Sequence, residues 1–230
     1  MAKLYLVGTH HLDLKGPERL EKFLGFVRPD TIGLESTVEN FERRIKDHEQ
    51  LRGQKLFLKL ALGEKYGPKA AENVIKYFDM LGYELWVPSK FSVNNGRVTL
   101  THCDEYQKED MGAMSQEVFG DRINDAQEIT MDYIEEIAKS DFAELQRTID
   151  EAYQNSSIRE LQKDPAVFKA LHPDRDERAE QKIREAVSQA DHTLVYIGGA
   201  AHFFGDYDNL HDRLKDLNPV RLKLSEVDNF

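Results

Sequence analysis

The sequence predicts an α/β fold: a mainly parallel sheet flanked by helices, with a β-hairpin and a helical insertion in the middle of the chain. Three observations carry this. Near the N-terminus, a buried-type strand, an amphipathic helix and a second strand follow one another closely, a βαβ unit whose strands must run parallel. The C-terminal part returns to the same alternation around the apolar run Leu194-Val195-Tyr196-Ile197. Both ends also carry a Gly-x-x-His tetrapeptide directly after a strand, Gly8-Thr9-His10-His11 and Gly199-Ala200-Ala201-His202. A chain of 230 residues, 40% of them hydrophobic, can bury the core of one such domain. We read residues 1–230 as a single domain, with 105–164 as the insertion.

Taken in order, Lys3 to Val7 is a strand, and Gly8 to Gly16 a loop. Pro17 suits the first turn of a helix, and Leu20, Phe23, Leu24 and Val27 then form one apolar stripe. Arg28-Pro29-Asp30 ends it, and Thr31 to Glu35 is the second strand. A charged helix spans about Val38 to Leu51, followed by an apolar stretch from Leu56 to Leu62. Val74, Tyr77, Phe78 and Leu81 show helical spacing. Glu84 to Val87 reads as a third strand stopped by Pro88, and Asn94-Asn95-Gly96 reads as a hairpin turn between Phe91–Val93 and Arg97–Leu100.

The block from 105 to 164 is polar and helical. Tyr133, Ile134 and Ile137 line one stripe, and Phe142, Leu145, Ile149 and Tyr153 another. Such a block can cover the sheet edge or join two copies of the chain. Beyond it come a helix from Asp174 to Ala190, the strand Thr193 to Ile197, a helix from Tyr207 to Leu217 and a last strand, Val220 to Leu224.

A formal net charge of −11 and the lack of a dense basic stripe argue against a nucleic-acid partner. Cys103 is the single cysteine, so no intramolecular disulfide forms, which fits a reducing compartment. No segment reaches the ~20 apolar residues of a membrane span, and Met1 to Val7 reads as a strand rather than a signal peptide. A cytoplasmic location is the expectation.

The carboxyl edge of a parallel sheet is where ligands bind. His11 and His202 arrive there from opposite ends of the chain, and Glu35 ends the second strand. Two imidazoles and a carboxylate suit Zn, Mn, Co or Fe and leave positions open for water and substrate. Such a metal would acidify bound water for hydrolysis. His10, beside His11, is the alternative ligand. Asp174-Arg175-Asp176-Glu177-Arg178 opens a helix, where acidic residues are favoured without any catalytic role. Arg178 gains one if the helix start faces the crevice, where it would hold Glu35 or steady an oxyanion. Asp121-Arg122 has the same two readings. His102-Cys103-Asp104 places a thiol beside a histidine, but neighbours on an extended chain point to opposite faces.

These residues resemble the TraB/PrgY/Tiki family. The likeness is carried by Gly8-Thr9-His10-His11, by Arg28-Pro29-Asp30-Thr31-Ile32-Gly33-Leu34-Glu35, by Asp176-Glu177-Arg178-Ala179 and by Ile197-Gly198-Gly199-Ala200-Ala201-His202. It covers roughly Lys3 to Arg44 and Pro173 to Leu224. It implies an α/β fold related to the erythromycin-esterase-like and ChaN-like proteins. Tiki members are membrane-anchored metal-dependent proteases, and PrgY-like members limit a peptide pheromone. The expectation is a metal-dependent, peptidase-like hydrolase. His11, His202 and Glu35 would be its metal ligands, Arg178 its substrate-positioning residue, and a peptide or small amide or ester its substrate. A homodimer is a further expectation. The rival readings are a non-catalytic binder of a peptide or of haem, and a metal-free hydrolase using His11 and Glu35 as the proton-transfer pair.

Overall fold

The computed structural model describes residues 2–104, 136–154, 173–204 and 208–230. Its sheet has five strands, β1 (Lys3–Thr9), β2 (Thr31–Leu34), β3 (Thr99–His102), β4 (Thr193–Gly199) and β5 (Val220–Lys223), in the order β3-β2-β4-β1-β5. All four pairings are parallel. Helices α1 (Gly16–Val27), α2 (Val38–Tyr66), α3 (Pro68–Met80) and α4 (Tyr83–Asn95) precede β3. Helices α5 (Phe142–Gln154) and α6 (Pro173–Gln189) precede β4, and the short α7 (Ala201–Phe204) and α8 (Leu210–Arg213) follow it.

The two faces of the sheet are sorted by the strand period of two. Leu4 and Leu6 of β1, with Leu194 and Tyr196 of β4, pack against Ala179, Ile183, Ala186 and Val187 of α6. Val7, Val195 and Ile197 turn the other way, onto Leu20, Phe23 and Leu24 of α1 and Tyr83 and Val87 of α4. Helices on both faces bury every central strand, the condition under which an all-parallel sheet is stable. At the amino edge, the Asp30 carboxylate accepts from the backbone N–H groups of Asp191, His192 and Thr193, locking β2 to the start of β4.

Three sequence expectations are corrected. The apolar stretch from Leu56 to Leu62 is the continuation of α2, a single helix reaching Tyr66. Glu84–Val87 is helical, not a strand, and Pro88 lies inside α4. A proline there costs about 3 kcal/mol in isolation. Burial of Tyr83 and Val87 one turn apart, and the bond from Trp86 Nε1 to the Asp79 carbonyl, outweigh it. The hairpin is likewise absent. Gly96, at φ 52°, closes α4 and donates to the Ser92 carbonyl. An Asn-Gly pair supplies the left-handed residue that either a hairpin or a helix end requires.

The helix expected over Tyr207–Leu217 is described only from Asp208, as α8 followed by a 3₁₀ turn at Lys215–Leu217. Within 105–164, α5 confirms the stripe Phe142, Leu145, Ile149 and Tyr153, which packs on the main core. Tyr133, Ile134 and the Asp121-Arg122 pair lie outside the described residues. Among the described residues, no helix is long and apolar enough to cross a membrane.

Candidate active site

The β2-β4-β1 trio brings three strand ends together. Leu34 stands opposite Ile197, and Gly8 and Thr9 stand opposite Gly198 and Gly199. Glu35 therefore emerges beside the Gly198-Gly199 pair. Its Oε2 accepts from the Gly199 N–H at 2.6 Å. A Cβ on Gly198 would sit 2.8 Å from that same oxygen, so only glycine leaves room for the carboxylate. The short α7 then carries His202 back over the edge, where its Nε2 lies 3.3 Å from Glu35 Oε1.

The other ring nitrogen of His202 faces the start of α6. Asp176 Oδ1 lies 2.6 Å from His202 Nδ1, both side chains being buried. This partner fixes the ring so that Nε2 points at Glu35. Arg175, the preceding residue, donates from Nη2 to Glu35 Oε1 at 2.5 Å and to Asp104 Oδ2 at 2.7 Å. Asp104 follows β3, the strand beside β2. A row of carboxylate, imidazole, carboxylate, guanidinium and carboxylate thus runs along the edge from Asp176 to Asp104.

The charges support one another. Burial disfavours ionised Glu35, but Arg175 and then His202 outweigh it and hold the carboxyl well below its usual range. Burial also opposes a charge on His202, yet Glu35 and Asp176 raise its pKa to about 9. At neutral pH the pair is Glu35 carboxylate and His202 imidazolium.

His11 occupies a different position. Its Nδ1 pairs with Glu84 Oε1 at 2.7 Å, and 75% of its side chain is exposed. Glu84 favours the imidazolium and raises its pKa to about 9, in a setting where solvent screens the pair. Glu35 and His11 still act on each other electrostatically, so His11 stands at the rim of the same edge.

The loop that carries His11 is held from below. Tyr153 Oη accepts from the His10 N–H, and Tyr83 Oη donates to the His10 carbonyl. The buried Asp13 accepts from Arg19, which also donates to Asp150 and Asp228. The His10 ring itself turns to Tyr153, and burial lowers its pKa.

Of the four expected site residues, the structure joins Glu35 and His202 and sets His11 at the rim. The guanidinium on Glu35 belongs to Arg175. Arg178 lies one turn further along α6, its buried Nε without a hydrogen-bond partner among the described residues. Cys103 is buried, its thiol pushed up to about 12 by desolvation, and His102 turns instead to Ser36 Oγ at 3.1 Å.

The expected ligands His11, His202 and Glu35 are held by protein partners of their own. Arg175 stands against Glu35 Oε1, the oxygen that faces His202 Nε2, and His11 Nδ1 is engaged by Glu84. Among the described residues, no three His, Cys, Asp or Glu groups converge on a metal position. Comparison with family models, with curated proteins and with solved structures finds no match.

Proposed function

We infer that this protein hydrolyses an amide or ester bond by acid–base chemistry between Glu35 and His202. The observation that carries the reading is the buried row Asp176–His202–Glu35 at the carboxyl edge of a parallel sheet. Its two reactive members hold opposite charges at neutral pH. The resemblance to the TraB/PrgY/Tiki family, carried by the residues around Glu35 and His202, supports hydrolysis as the reaction class; a peptide or a small amide or ester is the substrate class proposed.

Among the described residues, Glu35 Oε2 accepts one bond, from Gly199, and keeps a lone pair for a proton. In the forward step that carboxylate takes the proton of a water as its oxygen attacks the carbonyl carbon. His202 Nε2 gives a proton to the leaving nitrogen or oxygen, and Glu35 then returns its proton to the emptied imidazole. Arg175 keeps Glu35 ionised before the attack. Such paired proton transfers contribute about 10²–10⁴-fold each. His11, protonated at the rim, suits a carboxylate or carbonyl oxygen of the substrate. The single, buried thiol of Cys103 suits a reducing cytoplasm.

The test is a panel of chromogenic esters and peptide amides, assayed with and without a strong chelator. Hydrolysis that survives chelation and falls by about 10²-fold or more in Glu35→Gln and His202→Ala supports the reading. Hydrolysis abolished by chelation and restored by Mn, Co or Zn returns the site to metal chemistry. Turnover unchanged in both variants ends the proposal.

A further inference from the structure

Helix α2 is 29 residues long, and one side of it is committed to its own protomer. Leu62 is buried against α3, with Leu51 and Leu58 packed beside it. On the other side Leu56, Phe57 and Leu60 are 71%, 73% and 66% exposed. At the helical period these three share an arc of about 100° with Gly53. Lys46 and Glu64 lie on the same arc, five turns apart, and neither makes an ion pair among the described residues.

Gly53 is the telling position. A glycine inside a helix costs about 1 kcal/mol relative to alanine. Among the described residues, a Cβ added there would meet nothing within 4 Å, so the packing they make gives no reason for it. Open space at Gly53, one turn from an exposed phenyl ring, is the pattern of a close approach by something outside the protomer.

We propose that this face of α2 docks against the same face of a second copy of the chain, the two helices running antiparallel about a dyad beside residue 55. Lys46 and Glu64 are equally far from that residue, and so are Gly53 and Phe57. An antiparallel pair centred there sets each Lys46 against Glu64 of the other copy, and each Phe57 ring over the other copy's Gly53. Leu56, next to the dyad, meets its own counterpart. Lys55 does not intrude, because its ammonium turns inward to Asp79 at 2.5 Å. A parallel pair would instead oppose Lys46 to Lys46 and Glu64 to Glu64. The symmetry is the self-complementary kind a two-fold interface requires. The contact spans about 27 Å of helix. One helix face from each copy is the whole contact, so the dimer is a concentration-dependent one.

Sedimentation equilibrium over a wide range of protein concentration tests it. The wild-type chain is expected to shift from monomer to dimer. Phe57→Glu and Gly53→Leu should remain monomeric with unchanged circular dichroism, since both positions are exposed and leucine favours a helix. Lys46→Glu should weaken the dimer by about tenfold, because it breaks both symmetric pairs, and Lys46→Glu combined with Glu64→Lys should restore it. A monomer at every concentration, a dimer indifferent to Phe57→Glu, or a double charge exchange that restores nothing overturns the proposal. So does wild-type protein that stays monomeric and binds lipid vesicles through Phe57.

Discussion

Arg175 Nη2 lies 2.5 Å from Glu35 Oε1, and the same nitrogen reaches Asp104 Oδ2 at 2.7 Å. One guanidinium therefore compensates two carboxylates that end neighbouring strands. All three side chains are largely withdrawn from solvent, and removing the cation would leave two buried negative charges facing each other. Such a change costs far more than losing a surface pair.

Arg175→Met is accordingly expected to destabilise the protein by about 3–5 kcal/mol. Arg178→Met removes a group whose Nε has no hydrogen-bond partner among the described residues and should cost about 1 kcal/mol or less. Urea denaturation of both variants measures the difference. Equal losses would mean that the helix start, rather than the Arg175 contacts, sets the stability of this edge.

The site also sets a pH window. Glu35 ionises well below 4.5 in the folded state, so its contribution is complete above about 4.5 and is lost as pH falls through the folded value. His202 titrates at about 9 when folded against 6.5 when unfolded, so its contribution is complete below 6.5 and is lost as pH rises through about 9. Thermal midpoints should form a plateau between these limits and decline toward alkaline pH. His202→Gln should flatten that alkaline decline, whereas His11→Gln, at a 75% exposed side chain, should leave it nearly unchanged.

Asp176 acts through His202. Asp176→Asn keeps a group at Nδ1 but removes the charge that helps His202 stay protonated. The His202 ring should then titrate at lower pH by nuclear magnetic resonance, and the alkaline limb of kcat should move to lower pH with it. A kcat loss of about 10²-fold or more with little change in KM is expected. A ring titration identical to wild type would show that Asp176 does not govern this imidazole.

The sheet was legible because its evidence is local. Continuous apolar runs in Lys3–Val7 and Thr193–Ile197, and a strand-helix-strand spacing long enough to hold a crossover helix, are properties of contiguous residues. Glu35 and His202 were legible for the same reason, each standing directly after a strand. Arg175 and Asp176 were not. They sit in a run of five charged residues, and only the angle at which α6 meets the sheet decides which of the five reach Glu35 and His202. Asp104 was hidden likewise, since its partner lies 71 positions away. The misread α4 shows the opposite failure: Glu84-Leu85-Trp86-Val87 is strand-like alone, and becomes helical because Tyr83 and Val87 are buried together.

Two glycines separate positions the site demands from positions it does not. A Cβ at Gly198 would lie 2.8 Å from Glu35 Oε2 and 3.2 Å from the Phe203 ring. Gly198→Ala must therefore push the carboxylate off the Gly199 N–H or shift α7, and overpacking of this kind costs about 1–3 kcal/mol. Gly25, exposed in α1, has nothing within 4 Å of its added Cβ. Gly25→Ala should instead stabilise by about 0.5–1 kcal/mol through helix propensity. Catalysis should follow the same division, with hydrolysis lost in Gly198→Ala and retained in Gly25→Ala at a temperature where both variants stay folded. If Gly198→Ala keeps full activity, the placement of Glu35 beside Gly199 is not what the reaction depends on.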